Sequence, residues 1–217
     1  MLGGMTASTL TRFWDACAAS FDDEPDHGLT DPRVRAAWQR RMRGWLPTAP
    51  ADVLDAGCGT GSLAALAAAD GHRVTGVDLA PEMIAQARGK FAAAGLPGRF
   101  AVGDAADPPT GDARFDVVLC RHLLWTLPDP HAALAAWTAR LRPGGRLVLI
   151  EGRWGRQDDP VTPYVPEAAG LPWPGGVPAA DLARAVAPLT PRVEPLHDDA
   201  DLWGRPVHDE RYALIAR

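Results

Sequence analysis

From Ala51 onward, short β-branched runs alternate with Ala-rich stretches of helical character. This alternation is typical of a parallel sheet that is covered by helices on both of its faces. Each candidate strand is nearly continuously apolar, as expected for a strand that is buried on both sides. The candidate strands are Asp52 to Ala56, His72 to Val77, Arg99 to Val102, Phe115 to Leu119 and Arg146 to Glu151. The sequence therefore predicts an α/β fold built on a doubly wound sheet.

Helices are predicted between these strands, where proline is tolerated in the first turn and glycine supplies a stop. They cover Ser62 to Asp70, Pro81 to Ala94, Pro130 to Leu141 and Ala179 to Ala187. The RPGG run at 142–145 is predicted to stop the third of these helices, and the fifth strand is predicted to begin at Arg146. Two final runs, Val193 to His197 and Arg211 to Ala216, are predicted to be closing strands that pair with each other.

The 217 residues fit one domain of ordinary size with room for a lid. Before the alternating core, Asp31-Pro32 opens an amphipathic stretch, VRAAWQRRMRGWL, that ends at Pro47. We therefore expect a helical cap over residues 1–46 and the main domain over residues 47–217. A Pro- and Gly-rich tract at 153–178 predicts a surface flap with little regular structure.

Composition and charge restrict the partners that we expect. The chain has 22 Lys plus Arg against 27 Asp plus Glu, a net charge of −5, so the basic surface of a nucleic-acid binder is missing. Cys17, Cys58 and Cys120 form no CxxC pair, which indicates neither a disulfide framework nor a zinc site. No leader pattern and no membrane-length apolar run is visible. We expect a cytoplasmic monomer or homodimer with a small-molecule partner, and neither nucleic acid nor membrane.

The string VLDAGCGTGSLAAL at 53–66 carries the strongest chemical signal. Glycine permits a tight turn and a close approach of backbone to a ligand, and a helix N-terminus offers unpaired N–H groups to an anionic group. Asp78 follows the second strand, where its carboxylate can accept from ribose hydroxyls or cap the next helix. The GxGxG spacing and the preceding Asp55 disfavour a pyrophosphate cofactor. A nucleotide-like cofactor without a pyrophosphate is predicted.

Four motifs occur in order, VLDAGCGTG, VTGVDLA, VGDAAD and LRPGGRLVLIEG, and cover about 51–152. With them the chain resembles the class I S-adenosylmethionine-dependent methyltransferases, in the small-molecule branch related to ubiquinone and menaquinone methyltransferases. The resemblance implies a Rossmann-like, doubly wound, seven-stranded sheet that is mostly parallel with an antiparallel closing strand. It also implies methyl transfer to an O, N or C nucleophile of a small metabolite, with S-adenosylhomocysteine as product.

The same resemblance implies how the cofactor is held. Gly57 and Gly59, with Asp55 nearby, would hold its methionine part, and Asp78 its ribose. Leu79 and Met83 would flank the adenine, Asp104 would accept from its exocyclic amine, and the Ala105 N–H would face the ring. The Cys120 carbonyl would bind the cofactor's amino group. The complete predicted set is Trp14, Phe21, Asp55, Gly57, Cys58, Gly59, Asp78, Leu79, Met83, Gly103, Asp104, Ala105 and Cys120.

Two histidines are catalytic candidates. His122 follows the fourth strand in CRHLLWTLPDP, where no Asn-Pro-Pro-Tyr-like motif of an amide or adenine methyltransferase is present. It is either a general base or orienting donor, or a residue that holds the ribose or a backbone carbonyl. His27 lies in RFWDACAASFDDEPDHG, a segment that resembles bacterial relatives but has Phe21 where they carry Tyr. Trp14, Phe21 and His27 would close over the cofactor, and His27 is equally a turn residue.

Trp125 and Trp154 follow the fourth and fifth strands and are predicted to line an aromatic acceptor pocket, or else to anchor loops. No metal is expected, because the acidic pairs at 158–159 and 198–199 resemble solvated turns. Alternative functions are a nicotinamide-dependent oxidoreductase and a non-catalytic S-adenosylmethionine-binding protein. A macromolecular methyltransferase is disfavoured by the net charge.

Overall fold

A computed structural model describes residues 7–48, 50–155 and 163–217. In this part of the chain, seven strands form one sheet. The strands are β1 Asp52–Ala56, β2 Arg73–Asp78, β3 Arg99–Val102, β4 Phe115–Arg121, β5 Leu141–Arg153, β6 Pro191–Pro195 and β7 Glu210–Ala216. The helices are α1 Ala7–Phe21, α2 Pro25–Gly28, α3 Pro32–Trp45, α4 Ser62–Ala69, α5 Pro81–Ala94, α6 Pro130–Ala139, α7 Ala179–Ala185 and α8 Ala200–Trp203.

The strand order is β3-β2-β1-β4-β5-β7-β6. Strands β1 to β5 are parallel, and β7 pairs antiparallel with both β5 and β6. The predicted doubly wound sheet with an antiparallel closing strand is confirmed. Ala56 pairs with Val77 on one side and with Cys120 on the other, so the carboxyl ends of β1, β2 and β4 meet at one edge. Ligands of open α/β sheets bind at this edge.

Alternate residues of the strands face two separate cores. Val53 and Val117 pack with α3, α4 and α8 on one face, while Leu54 and Val118 pack with α6 and α7 on the other. Since successive side chains of a strand point to opposite faces, both faces need apolar residues. This explains why the strands are continuously apolar in the sequence.

Element boundaries differ from the predicted ones mainly around β5. This strand begins at Leu141, which pairs with Phe115, and the register then shifts before Val117 pairs with Arg146. The helix before it ends at Ala139, so the RPGG run lies inside the span of β5 and does not stop that helix. The predicted start of the strand at Arg146 is wrong. The four-residue helix α8 was not predicted, because one helical turn carries no periodic pattern.

The N-terminal region contains two helices with different surroundings. On α1, the Ala18 carbonyl accepts from Gln86 of α5 at 2.6 Å. On α3, Trp38 is fully buried and its indole N–H donates to the Leu202 carbonyl at 2.7 Å. The predicted cap over 1–46 thus includes α3, which belongs to the core, and α1, which lies on α5. The boundary between a cap and a main domain stays a prediction.

Part of the predicted flap at 153–178 lies outside the described residues, namely 156–162. The described part contains a 3-10 helix at Pro166–Gly170 and an isolated bridge between Arg153 and Gly176. Ala168 and Val177 are buried, so this part is packed onto the domain. No described helix has the length and apolar character that crossing a membrane requires.

Candidate functional site

A cavity of about 560 Å³ opens at the carboxyl edge of the sheet. We call its two ends the glycine-loop side and the histidine side. The glycine-loop side consists of Asp55, Gly57, Cys58, Gly59, Asp78, Leu79, Met83, Asp104 and Ala105. The histidine side consists of Glu24, Asp26, His27, Arg121, His122, Trp125, Trp154, Arg205 and Arg211.

The glycine loop turns sharply after β1. Gly57 and Gly59 have φ values of +72° and +52°, a region that side chains disfavour. A Cβ atom on Gly57 would lie 2.8 Å from a methyl carbon of Leu123. The N–H groups of Gly57 and Cys58 both donate to the Val77 carbonyl, at 2.8 and 3.0 Å. The loop is therefore held against β2, and glycine is required by both conformation and space.

Asp78 lies at the end of β2 and holds the glycine loop. Its carboxylate accepts from the N–H of Gly59 at 2.9 Å and from that of Ala80 at 3.0 Å. Burial raises the pKa of Asp78, and these hydrogen bonds oppose the increase. Asp78 therefore holds the glycine loop and the turn before α5, and it also faces the cavity. The N-cap residue of α5 is Ala80, and no side chain caps this helix.

Asp55 is buried at the floor of the cavity. Burial raises its pKa to about 7, and the Arg121 guanidinium opposes that increase. Repulsion from the Asp78 carboxylate raises the pKa of Asp55 further. A bound cationic group would be favoured next to this pair of carboxylates.

The far wall of the glycine-loop side follows β3. Asp104 accepts from the Ala106 N–H at 2.8 Å, and the Ala105 carbonyl accepts from the buried Trp137 indole at 2.7 Å.

Of the residues that the sequence assigns to the cofactor, Gly103 and Cys120 are not on the cavity surface. A Cβ atom on Gly103 would meet the Pro109 ring at 2.6 Å, and Cys120 lies in the core. Their cofactor roles stay predictions.

The chain between α1 and α2 closes over the glycine loop. Asp22 accepts from the Thr60 hydroxyl at 2.5 Å and pairs with Lys90 at 2.9 Å. Phe21 lies on the cavity surface, and its ring stacks on His27 with centroids 4.4 Å apart. The structure thus brings Trp14, Phe21 and His27 to the cavity, as the sequence predicts.

His122 has an unusual backbone, with φ at +55°, and its N–H donates to the Ile150 carbonyl at 3.0 Å. Its Nε2 atom is shut off from solvent and has no hydrogen-bond partner. Burial, followed by the nearby Arg121, Arg211 and His27, holds its pKa well below the ordinary value, so the ring is neutral. His122 therefore presents a lone pair and no charge.

Glu151, near the end of β5, anchors the segment that carries His122. One carboxylate oxygen of Glu151 accepts from the N–H groups of Leu123 and Leu124, both at 3.0 Å. Burial raises the pKa of Glu151 to about 8. The Trp125 indole N–H donates to the His122 carbonyl at 2.6 Å, which fixes the same turn from above.

Aromatic rings form the outer wall of the histidine side. Trp125 is 6.5 Å from Trp14, 6.3 Å from Trp154 and 4.9 Å from Tyr164, measured between ring centroids. Trp154 also contacts His122 at 4.8 Å. Trp125 and Trp154, which are predicted to line an acceptor pocket or to anchor loops, both line the cavity. Their contacts with neighbouring rings also anchor the loops that carry them.

Sequence reasoning missed several charged residues of the histidine side. The Arg121 guanidinium donates to the Asp26 carbonyl. Arg211 lies over the rings of Trp154 and Trp203, at 5.1 and 4.5 Å, and is held by Asp209. Arg121 could have been found from its place at the end of a parallel strand, whereas no local pattern marks the others.

Comparisons with known proteins agree with this architecture. Residues 54–149 match a family model described as a methyltransferase domain. The chain is 36% identical to ubiquinone biosynthesis O-methyltransferase from Xanthomonas axonopodis pv. citri, over 66% of this chain and 57% of that protein. It is 41% identical to demethylmenaquinone methyltransferase from Thermus thermophilus, over 52% and 53%. The chain thus spans little more than half the length of these relatives.

The fold is also similar to a solved structure over its whole length. Magnesium protoporphyrin IX methyltransferase from Synechocystis, crystallised with bound S-adenosylmethionine, superposes with a TM-score of 0.68 at 15% identity. The comparison covers 100% of both chains.

Proposed function

We propose that the protein is a class I S-adenosylmethionine-dependent methyltransferase that transfers a methyl group from S-adenosylmethionine to a small molecule. Residues 54–149 match the model of a methyltransferase domain, and the relatives that match are methyltransferases. The acceptor atom is an oxygen, nitrogen or carbon nucleophile, and S-adenosylhomocysteine is the product. The observation that carries the proposal is one cavity that joins a glycine loop and Asp78 to a histidine and a wall of aromatic rings.

The glycine-loop side fits the cofactor. Its loop presents backbone next to the cavity at positions where a side chain would be strained or would clash, as at Gly57. In the proposal, this loop and Asp55 hold the methionine part, Asp78 holds the ribose, and Leu79 and Met83 flank the adenine. Asp104 and Ala105 bind the adenine edge. When bound, S-adenosylmethionine supplies an electrophilic methyl group.

The histidine side would receive the acceptor. Trp125 and Trp154 present flat rings that suit an aromatic or heteroaromatic molecule. The names of the relatives, which refer to ubiquinone biosynthesis and demethylmenaquinone, support a small-molecule acceptor. Closing this cavity excludes water and aligns the reactants, and alignment alone contributes several kcal/mol to catalysis.

His122 and His27 are the proposed catalytic residues. Both lie at the cavity, and burial lowers the pKa of each, so both present neutral rings to an acceptor. Either lone pair can orient an acceptor hydroxyl or accept its proton. A cytoplasmic location and a monomeric or homodimeric state complete the proposal, and the three unpaired cysteines suit a reducing compartment.

Two measurements test the proposal. Calorimetric titration should show one site for S-adenosylhomocysteine and no binding of NADH, and the reverse result would favour a nicotinamide enzyme. The protein is then incubated with a metabolite extract and trideuteromethyl-labelled S-adenosylmethionine, and mass spectrometry identifies a labelled product. Cofactor binding without any labelled product across extracts would favour a non-catalytic binding protein.

A further inference from the structure

Asp26, His27 and His122 converge on the histidine side of the cavity. Each residue offers one ligand atom, and the three atoms lie within 4.8 Å of one another. Across 7–48, 50–155 and 163–217, no other group of three His, Cys, Asp or Glu side chains comes together in this way. The cluster joins α2 to the turn that follows β4, so folding alone assembles it.

The carboxylate of Asp26 is available to a ligand although Asp26 is buried. Its ionic contact is His27 Nε2 at 3.8 Å, and no arginine of the described chain lies within 4.0 Å of it. Arg121 donates instead to the backbone carbonyl of Asp26. The carboxylate is therefore not neutralised by a direct ion pair with a cationic side chain.

His27 is oriented by its surroundings. Its ring stacks on Phe21 with the two ring centroids 4.4 Å apart. A neutral imidazole has a lone pair on one of its two ring nitrogens, and that lone pair is what binds a metal ion.

His122 supplies an independent observation. Its Nε2 is a buried nitrogen with no hydrogen-bond partner, and its left-handed backbone is rare for a residue other than glycine. Strained residues of this kind cluster at functional sites. A metal ion bound to Nε2 would satisfy the unpaired nitrogen.

We propose that Asp26, His27 and His122 bind one divalent first-row transition-metal ion of the zinc class. Two imidazoles and one carboxylate are a ligand set for Zn²⁺ or Fe²⁺, and they leave coordination positions open. In a tetrahedral site with bond lengths of about 2.0 to 2.2 Å, ligand atoms lie roughly 3.3 to 3.6 Å apart. The pair formed by His27 and Asp26 at 3.8 Å is close to this spacing, and the three atoms, which lie within 4.8 Å of one another, would have to draw together by up to about 1.5 Å when the ion binds.

Charges of both signs surround the cluster. The guanidinium groups of Arg121 and Arg211 lower the pKa of His122, whereas the carboxylates of Glu24 and Asp26 raise the pKa of His27. The open coordination positions lie at the cavity that all three residues line. If the proposed methyl transfer holds, an acceptor oxygen would fill one of these positions. With the ion bound, the histidines would act on the acceptor through the metal rather than as free bases.

The test is metal binding by the purified full chain after removal of metals with a chelator. Co²⁺ titration should produce visible d–d absorption that saturates at one equivalent, and Zn²⁺ should displace it. Asp26→Asn and His122→Ala should each weaken Co²⁺ binding at least tenfold. If His122→Ala does not fold by circular dichroism, His27→Gln takes its place.

A matched control is His197→Ala. His197 Nε2 lies 3.6 Å from Asp198, and its Nδ1 is also buried without a partner, but this pair has no third ligand. The control should bind Co²⁺ like wild type. No saturable binding by wild type, or equal loss in the control and the cluster variants, would overturn the site. Titration of the metal-free protein with S-adenosylhomocysteine separates this outcome from failure of the proposed function, because the proposed contacts to the adenosine and methionine parts of the cofactor are on the glycine-loop side.

Discussion

The two ends of the cavity are built in different ways. The glycine-loop side is formed by short contiguous segments at the ends of β1, β2 and β3. Backbone hydrogen bonds hold it in place, as in those that the N–H groups of Gly57 and Cys58 donate to the Val77 carbonyl. The histidine side is formed by side chains from five separate segments, among them Asp26, Trp154 and Arg211. A backbone-built site depends on local conformation, whereas a side-chain-built site depends on how distant segments pack.

This difference teaches where each part of the function is encoded. A common cofactor can be held by a local motif that is the same wherever the fold occurs, and an acceptor site can change without altering that motif. Variants on the two sides should therefore separate cofactor affinity from turnover.

The largest effect is expected from His122→Ala. Loss of the ring removes the lone pair, whether it accepts a proton or holds a metal ion, and should lower methyl-transfer turnover by roughly 10²- to 10⁴-fold. Affinity for S-adenosylhomocysteine should stay within about threefold of wild type, since the proposed cofactor contacts are on the glycine-loop side. Turnover assays and calorimetry measure the two quantities. His131→Ala, which alters a ring packed on Trp173, is the control. A selective loss of cofactor affinity would place His122 in the cofactor shell.

On the glycine-loop side, Gly59→Val should weaken S-adenosylhomocysteine binding by about 100-fold or more. A β-branched residue is strained at a φ of +52°, and its Cβ would touch the Phe21 ring at 3.4 Å. Gly89→Val is the matched control, because nothing lies within 4 Å of the corresponding Cβ. Normal binding by Gly59→Val, with the fold intact by circular dichroism, would show that the loop does not hold the cofactor.

The free energy of unfolding should depend on pH through Glu151, which holds the turn that carries His122. The Glu151 pKa is about 8 in the folded protein against an ordinary value of 4.5, so the folded state retains a proton that the unfolded state loses. This contribution to stability is complete below pH 4.5 and disappears as pH rises through 8. Glu151→Gln removes the titration and still offers an oxygen to Leu123 and Leu124. Relative to wild type, the variant should gain roughly 2 to 3 kcal/mol in unfolding free energy between pH 6 and pH 9.

Urea unfolding at the two pH values measures that gain. Other groups titrate in both proteins and cancel in the difference. A stability difference that does not change with pH would mean that Glu151 ionises normally.

A smaller effect is expected from Asp78→Ala, which should weaken S-adenosylhomocysteine binding by about 1 to 3 kcal/mol, the range for a hydrogen bond to a charged group. The loop bond from Gly59 is lost at the same time. Calorimetry on Asp78→Ala and Asp78→Asn distinguishes ribose binding from support of the loop. An unchanged dissociation constant in both variants would exclude the ribose role.

Much of the fold and one side of the site could be predicted from the sequence. Five parallel strands and the glycine loop are specified by residues that are neighbours in the chain, and the place of Asp78 follows from the end of β2. The start of β5 could not be predicted, because pairing between Leu141 and Phe115 overrides the local RPGG signal. The packing of α3 into the core likewise depends on Trp203 and Leu202, which come from the other end of the chain.

By itself, the sequence determined the sheet, the cofactor motifs and the two histidines as separate candidates. Only the tertiary structure decided that Asp26, His27 and His122 meet, and that Arg211 lies between two tryptophan rings beside them. The expectation of no metal rests on acidic pairs, 158–159 and 198–199, whose members are neighbours in the chain. Ligand atoms within a few ångströms of one another, when supplied by segments far apart in the chain, are a product of packing, and no spacing in the sequence records it.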